Sequence, residues 1–135
     1  MASLTRAAIA PEQAVSAWMD AFNARHLDGL LAPLHPDIEL HPPRLNGRAG
    51  AYHGHDGVRE WFAQLDPGGL EQQIDLSAVE VAADGRVLAA GTLCLADQTA
   101  IAPFGAIHRL EDGLIIDARH YFSDQTMLQR LGIFP

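Results

Sequence analysis

The chain has 135 residues, 48% hydrophobic and 19% charged, a globular composition sized for one domain. Nine basic residues against 17 acidic ones give a net charge of −8, which excludes the basic stripe expected of a nucleic-acid binder. Cys94 is the only cysteine, so no intrachain disulfide exists and the chain relies on an ordinary core, burying roughly two-thirds of its unfolded surface.

No apolar run approaches the ~20 residues that span a bilayer, and the first 13 residues hold no apolar core of signal-peptide length. No membrane partner and a cytoplasmic location are therefore expected. The first helix follows Pro11, which suits a first turn. Ala14, Val15, Trp18, Ala21 and Phe22 fall on one face at 3.6 periodicity, with Asp20, Asn23 and Arg25 off the core of that stripe. A second short helix is expected over 27–34. A strand over 35–40 follows, stopped by Pro42 and Pro43, and 44–52 reads as a loop. A third helix covers 54–65. Asp56 lies in its first turn, and Val58, Trp61, Phe62 and Leu65 form its apolar side.

The rest reads as β. In 70–82, Ile74 and Leu76 share one parity and Val79 and Val81 the other, which places a bulge near Ser77 and Ala78. Residues 86–96 are apolar on both parities, as in a central strand, and an inert buried thiol is expected for Cys94. Residues 99–110 form the next strand, with Pro103 marking an edge or bulge. Glu111, Asp112 and Gly113 read as a three-residue hairpin turn, and residues 124–132 as a closing helix. The order of elements is an α+β layout, in which a curved sheet would wrap the helices around a cavity.

That turn would pair Leu110 with Leu114, Ala106 with Ala118 and Phe104 with His120. Phe104, Ala106, His108, Leu110, Leu114, Ile116, Ala118, His120 and Phe122 would then share one face, with Arg109, Asp117 and Arg119 on the other. The face is apolar except for His108 and His120. Modest burial keeps an imidazole neutral and able to accept a proton, so an aromatic cavity with one such group is a candidate acid–base site. The alternative is that both are ordinary core or rim histidines.

The stretches AVSAWMDAFNARHLDGLLAPLHPDIELHPP, YHGHDGVREWF and HRLEDGLIIDARHYFSDQTMLQRLG resemble the SnoaL-like polyketide cyclase family. That family lies in the nuclear transport factor 2-like superfamily, with ketosteroid isomerase and limonene epoxide hydrolase. The resemblance runs from about residue 11 to 132, so a single domain fills the chain. It implies a cone of curved antiparallel sheet around N-terminal helices, a deep apolar pocket for a small hydrophobic molecule, and a homodimer through the outer face of the sheet. It implies cofactor-free cyclase or isomerase chemistry.

Residue by residue, the catalytic aspartate of the cyclases falls at His120, and a pocket histidine of theirs at Ala106. The isomerase base, an aspartate before a proline, falls at His41, before Pro42. The isomerase oxyanion donors fall at Trp18, Phe62 and Ala106, where only an indole N–H remains as a donor. Steroid isomerase chemistry is thereby disfavoured, and the epoxide hydrolase Asp–Arg–Asp arrangement is not recognisable.

His120 and His41 are the candidate catalytic residues. Trp18, Phe22, Phe62, Phe104, Ala106, His108, Ala118 and Phe122 are candidates for the pocket wall. For His41, simple alternation with Ile38 and Leu40 points outward, and only the resemblance moves it to a pocket mouth. His53 and His55 flank Gly54 with no third ligand evident, so no metal site is expected. His26 and His35 read as surface or capping residues. Two readings stand: an acid–base enzyme acting on a small hydrophobic carbonyl compound, and a non-catalytic binder or a stress-associated or assembly module.

Overall fold

The computed structural model describes residues 10–42, 51–65, 72–95 and 100–122, with side chains through His120. The expected closing helix, most of the loop after Pro42 and the end of the third helix's exit lie outside them. Three helices precede most of the sheet: α1 (Pro11–Ala24), α2 (Leu27–Leu31) and α3 (Gly54–Ala63). The strands are β1 (Leu34–His41), β2 (Tyr52–His53), β3 (Gln72–Val81), β4 (Val87–Leu95), β5 (Ala100–Glu111) and β6 (Leu114–Phe122). They form one sheet in the order β2-β1-β6-β5-β4-β3.

The α+β class holds, with one refinement: the sheet is not wholly antiparallel, because β1 and β6 pair in parallel. The second helix stops at Leu31 rather than at residue 34, because Leu34 is already strand and lies opposite the buried Ile115. The two-residue strand β2 was not expected. Tyr52 is buried there, and its hydroxyl is 3.1 Å from Gln64 Oε1 on the far end of α3.

α1 begins with Pro11 at its first position, and the Gln13 side chain accepts the Ala10 N–H at 3.2 Å. It ends on Arg25, which takes a left-handed backbone (φ 53°) without being glycine. Side-chain bonds offset that cost. Arg25 donates to Phe22 O at 2.5 Å and to Gln72 O at 2.7 Å, and its guanidinium lies 4.4 Å from the Phe22 ring centroid. Asn23 does more. Its Nδ2 donates to Ile74 O and its Oδ1 accepts the Ile74 N–H, both at 2.8 Å. One amide thus imitates a strand residue against the edge strand β3 and fixes the helix on the sheet.

The expected bulge in β3 is present: Leu76 pairs with Gly91 and Ala78 with Ala90, leaving Ser77 unpaired. The Ser77 hydroxyl donates to Ala90 O at 3.2 Å. Gly91 is the residue that permits this, because a Cβ there would stand 2.1 Å from Asp75 O. Cys94 is buried and inert in setting, its thiol 3.7 Å from Gln73 O.

The β5–β6 register differs from expectation. The turn has two residues, not three, with Asp112 and Gly113 both at positive φ (55° and 79°). Glu111 pairs with Leu114 and Leu110 with Ile115. Such a turn alone would mix the two faces. A bulge at Ile116 restores parity, so that Arg109 meets Asp117, His108 meets Ala118 and Ala106 meets His120. The even-numbered face survives from Ala118 onward, while near the turn Ile115 is fully buried and Ile116 is half-buried.

Replacing Gly91 by alanine should destabilise the protein by about 1–3 kcal/mol, since only backbone motion relieves the clash. Denaturant unfolding measures this. A loss below a few tenths of a kcal/mol would show that the bulge is not tightly held.

Candidate functional site

The inward face of β5 and β6 presents Phe104, Ala106, His108, Ala118 and His120 toward α1. Phe104, Ala106, His108 and Ala118 are fully buried or nearly so. Each imidazole stands opposite an alanine: His108 across from Ala118, His120 across from Ala106. Small side chains on the facing strand leave the volume that the rings fill. The expected Phe104–His120 cross-strand pair is replaced by a diagonal contact, with ring centroids 5.5 Å apart. His120 also lies 6.0 Å from His108 and 6.0 Å from Trp18.

Trp18 is brought there by α1, and Trp61 of α3 lies tilted beside it, ring centroids 5.9 Å apart. Phe22 lies 5.8 Å from Trp61 in a stacked arrangement, and Phe62 is half-buried against the same core. All the named wall residues with described side chains are thus on the concave side. Phe122 pairs through its backbone with Phe104, and its side chain lies outside the described residues. In the sequence Trp61 reads as the apolar side of the third helix and is not among the candidates for the pocket wall. Its spacing of three from Val58 gave no sign that it would back Trp18 across two helices.

His108 is tied by Nδ1 to Val87 O at 3.2 Å. A carbonyl only accepts, so Nδ1 carries the proton and Nε2 presents a lone pair. That Nε2, the Nε2 of His120 and the indole Nε1 of Trp18 are all buried, with no hydrogen-bond partner among the described residues. His120 as a whole is partly exposed, while its Nε2 is covered. Three buried polar atoms without a partner among the described residues thus lie on one face, and each would cost about 1–3 kcal/mol if left unmet.

Burial pulls the His108 pKa down to about 4, against the opposing pull of the Val87 bond and the Asp117 charge. Burial also pulls His120 down to about 3, and His108 pushes the same way. Both rings are neutral at physiological pH.

His41 is elsewhere. Leu40 pairs with the buried Ala118, so its neighbours Glu39 and His41 point to the opposite face. His41 Nε2 lies 3.3 Å from Glu39 Oε1 and 3.7 Å from Asp117 Oδ2. The placement at a pocket mouth is therefore corrected: strand alternation, not the resemblance, locates this side chain, and it does not join His120. The donor atoms of Glu39, His41 and Asp117 lie within 4.8 Å of one another, as do those of His35, Glu111 and Asp112. Asp117 already accepts from Arg119 at 3.0 Å. Of the other histidines, His55 Nε2 donates to Leu34 O at 3.0 Å, fastening α3 to β1, and His53 is exposed. His26 is exposed beside α2, whereas His35 sits in β1 and accepts the Asp37 N–H at 3.0 Å.

The family model of the SnoaL-like domain matches residues 15–118. This chain belongs to the SnoaL-like domain family. Every residue of the inward cluster except His120 lies within that match.

Solved structures agree on the fold. The SnoaL-like protein is 25% identical to an NTF2-like protein of unknown function from Burkholderia pseudomallei, over 90% of this chain and 97% of the other, with a TM-score of 0.69. It is 25% identical to TerC, co-crystallised with polyporic acid, over 90% and 98%, with a TM-score of 0.71. A candidate polyketide cyclase from Xanthomonas campestris pv. campestris is 20% identical over 90% and 96%, with a TM-score of 0.70. Among curated proteins none matches this sequence. Among the described residues, no helix is long and apolar enough to cross a membrane.

The buried histidines carry a pH signature. Their folded pKa values lie below the ordinary 6.5, so the unfolded chain takes up protons first as the pH falls. Stability should be fully present above pH 6.5. It should decline below that by up to about 1.4 kcal/mol per pH unit for each ring, continuing to about pH 4 for His108 and about pH 3 for His120. Between pH 6.5 and 5, before carboxylates titrate, a His108→Gln, His120→Gln double variant should show a visibly flatter slope in urea unfolding. An unchanged slope would refute buried neutral rings.

Proposed function

We propose that this SnoaL-like protein is a cofactor-free acid–base enzyme acting on a small hydrophobic carbonyl compound, of the cyclase or isomerase type. The observation that carries the reading is the placement of His120 Nε2 and Trp18 Nε1. These are two buried polar atoms with no hydrogen-bond partner among the described residues, on rings 6.0 Å apart, in a wall of aromatic and small apolar side chains. The neutral imidazole of His120 is the base that takes a proton from carbon beside the carbonyl. The indole N–H of Trp18 donates to the carbonyl oxygen as negative charge develops there. The apolar wall favours a substrate with little charge of its own. TerC, which shares the fold, was co-crystallised with polyporic acid, which supports a small-molecule occupant.

A second reading is favoured by one observation. A ring whose pKa is held at about 3 is a weak base in the free protein. A protein that only binds a small hydrophobic molecule would need no stronger one. For catalysis, the charge forming on the substrate must raise that basicity in the complex. Under either reading we place a homodimer contact on the outer face of the sheet, away from this site, and a cytoplasmic location.

Turnover should be sought with aromatic polyketide-like ketones. His120→Ala should lower kcat by about 10²-fold or more, the usual worth of a positioned base. Trp18→Phe should lower it by about 10²-fold with little change in KM, since it removes one donor and preserves the packing. Because His120 is neutral above about pH 3, kcat/KM should be flat from pH 5 to 8, without a step near 6.5. Ligand binding without turnover in wild type would leave the binder reading in place of the enzyme.

A further inference from the structure

The acid–base reading uses His120 and Trp18 and leaves His108 without a task. His108 is nonetheless the one fully buried polar residue among the described side chains. A purely structural histidine in that place would satisfy both nitrogens or be replaced by an apolar ring. Here one nitrogen is spent on Val87 O, which fixes the tautomer. The other is left as a buried lone pair with no partner among the described residues. The His108 and His120 rings are 6.0 Å apart, and their Nε2 atoms do not bond to each other.

We propose that His108 Nε2 accepts a hydrogen bond from a hydroxyl of the ligand, so that the compound bound is uncharged, apolar and carries a hydroxyl as well as a carbonyl. This rests on the site reading above and narrows it. The polar atoms set the complement. Trp18 Nε1 can only donate, which calls for an acceptor such as a carbonyl oxygen. His108 Nε2 in its fixed tautomer can only accept, which calls for an O–H or N–H. The His120 ring lies 6.0 Å from each of the other two. Of the two donor groups, a hydroxyl suits the apolar walls formed by Phe104, Ala106 and Ala118, because it is the less costly to desolvate beside a carbonyl.

The absence of charge follows from the sheet. Alternation sends Asp117 and Arg119 to the far face, where they pair with each other at 3.0 Å, and Arg109, the cross-strand partner of Asp117, is exposed there too. Among the described residues no cation or carboxylate faces His108 and His120 from the concave side. A charged ligand would therefore enter without a counter-ion, at a cost that a neutral one avoids.

The test uses four matched bicyclic probes: tetralin, 1-tetralone, 5,6,7,8-tetrahydro-2-naphthol and 6-hydroxy-1-tetralone. Affinities come from calorimetric titration of wild type, His108→Phe and His108→Gln. Phenylalanine keeps the ring shape and deletes the acceptor, while glutamine can bond Val87 and still offer an oxygen. Wild type should bind the hydroxyketone at least about tenfold more tightly than 1-tetralone, because a site built for a hydroxyl penalises its absence. That preference should shrink to within about threefold in His108→Phe and survive in part in His108→Gln, while 1-tetralone affinity changes little. Should His108→Phe fail to fold, nitrogen NMR of wild type decides: the His108 Nε2 resonance should move with the two hydroxyl probes and not with 1-tetralone. Equal affinity for both ketones, a preference that persists in His108→Phe, or an unmoved Nε2 resonance would overturn the role of His108 and leave the carbonyl site standing. Failure of all four probes to bind at millimolar concentration would remove the site reading itself, and this inference with it.

Discussion

The position of helix α1 depends on a side-chain amide doing the work of a strand. Asn23 exchanges two 2.8 Å hydrogen bonds with the backbone of Ile74, and Gln73 Nε2 returns a third to Asn23 O at 3.0 Å. β3 is an edge strand, so its outer backbone groups would otherwise face water or another chain. Pairing them to the end of a helix satisfies the edge and sets the helix down across the concave face. Arg25 completes the junction by accepting a left-handed backbone in exchange for bonds to Phe22 O and Gln72 O. Trp18, little more than one helical turn back from Asn23, is thereby held against His120 on β6, three strands away.

The concave face carries an unusual distribution of cost. His41 Nε2, on the opposite face, has no hydrogen-bond partner among the described residues but lies 3.3 Å and 3.7 Å from two carboxylates, and other buried or half-buried polar groups are matched: Tyr52 with Gln64, His55 with Leu34 O, Ser77 with Ala90 O. The indole of Trp18 and the outer nitrogens of His108 and His120 are not, and they lie together. Three such atoms on one face, with no carboxylate beside them among the described residues, support the site reading. The same burial that leaves these atoms unpartnered keeps both rings neutral, so charge on this face has to arrive with a ligand or form during a reaction.

Much of this was legible in the residues. Periodicity placed α1 and α3 and their apolar stripes, and the parity switch between Leu76 and Val79 located the β3 bulge. The inward face of β5 and β6 was right in membership near the histidines. Its register was not, and the reason is instructive. A two-residue turn and a bulge at Ile116 are two displacements that restore parity together, so the correct faces came from a register two residues out. The Asp112-Gly113 pair is itself a two-residue turn signal, but nothing local marks the compensating bulge at Ile116. Asn23 was set aside as off the apolar stripe, since nothing local says that an amide will pair with a strand 51 positions later.

The sequence by itself determined the α+β class, the family and the inward placement of His108 and His120, because each depends on short-range periodicity or on motifs contiguous in the chain. Only the tertiary structure decided that His41 points away from His120, that His120 meets Trp18, and that Val87 O fixes the His108 tautomer. Those facts depend on strand register and on the docking of a helix. Both are fixed by contacts between residues far apart in the chain, which no local pattern encodes.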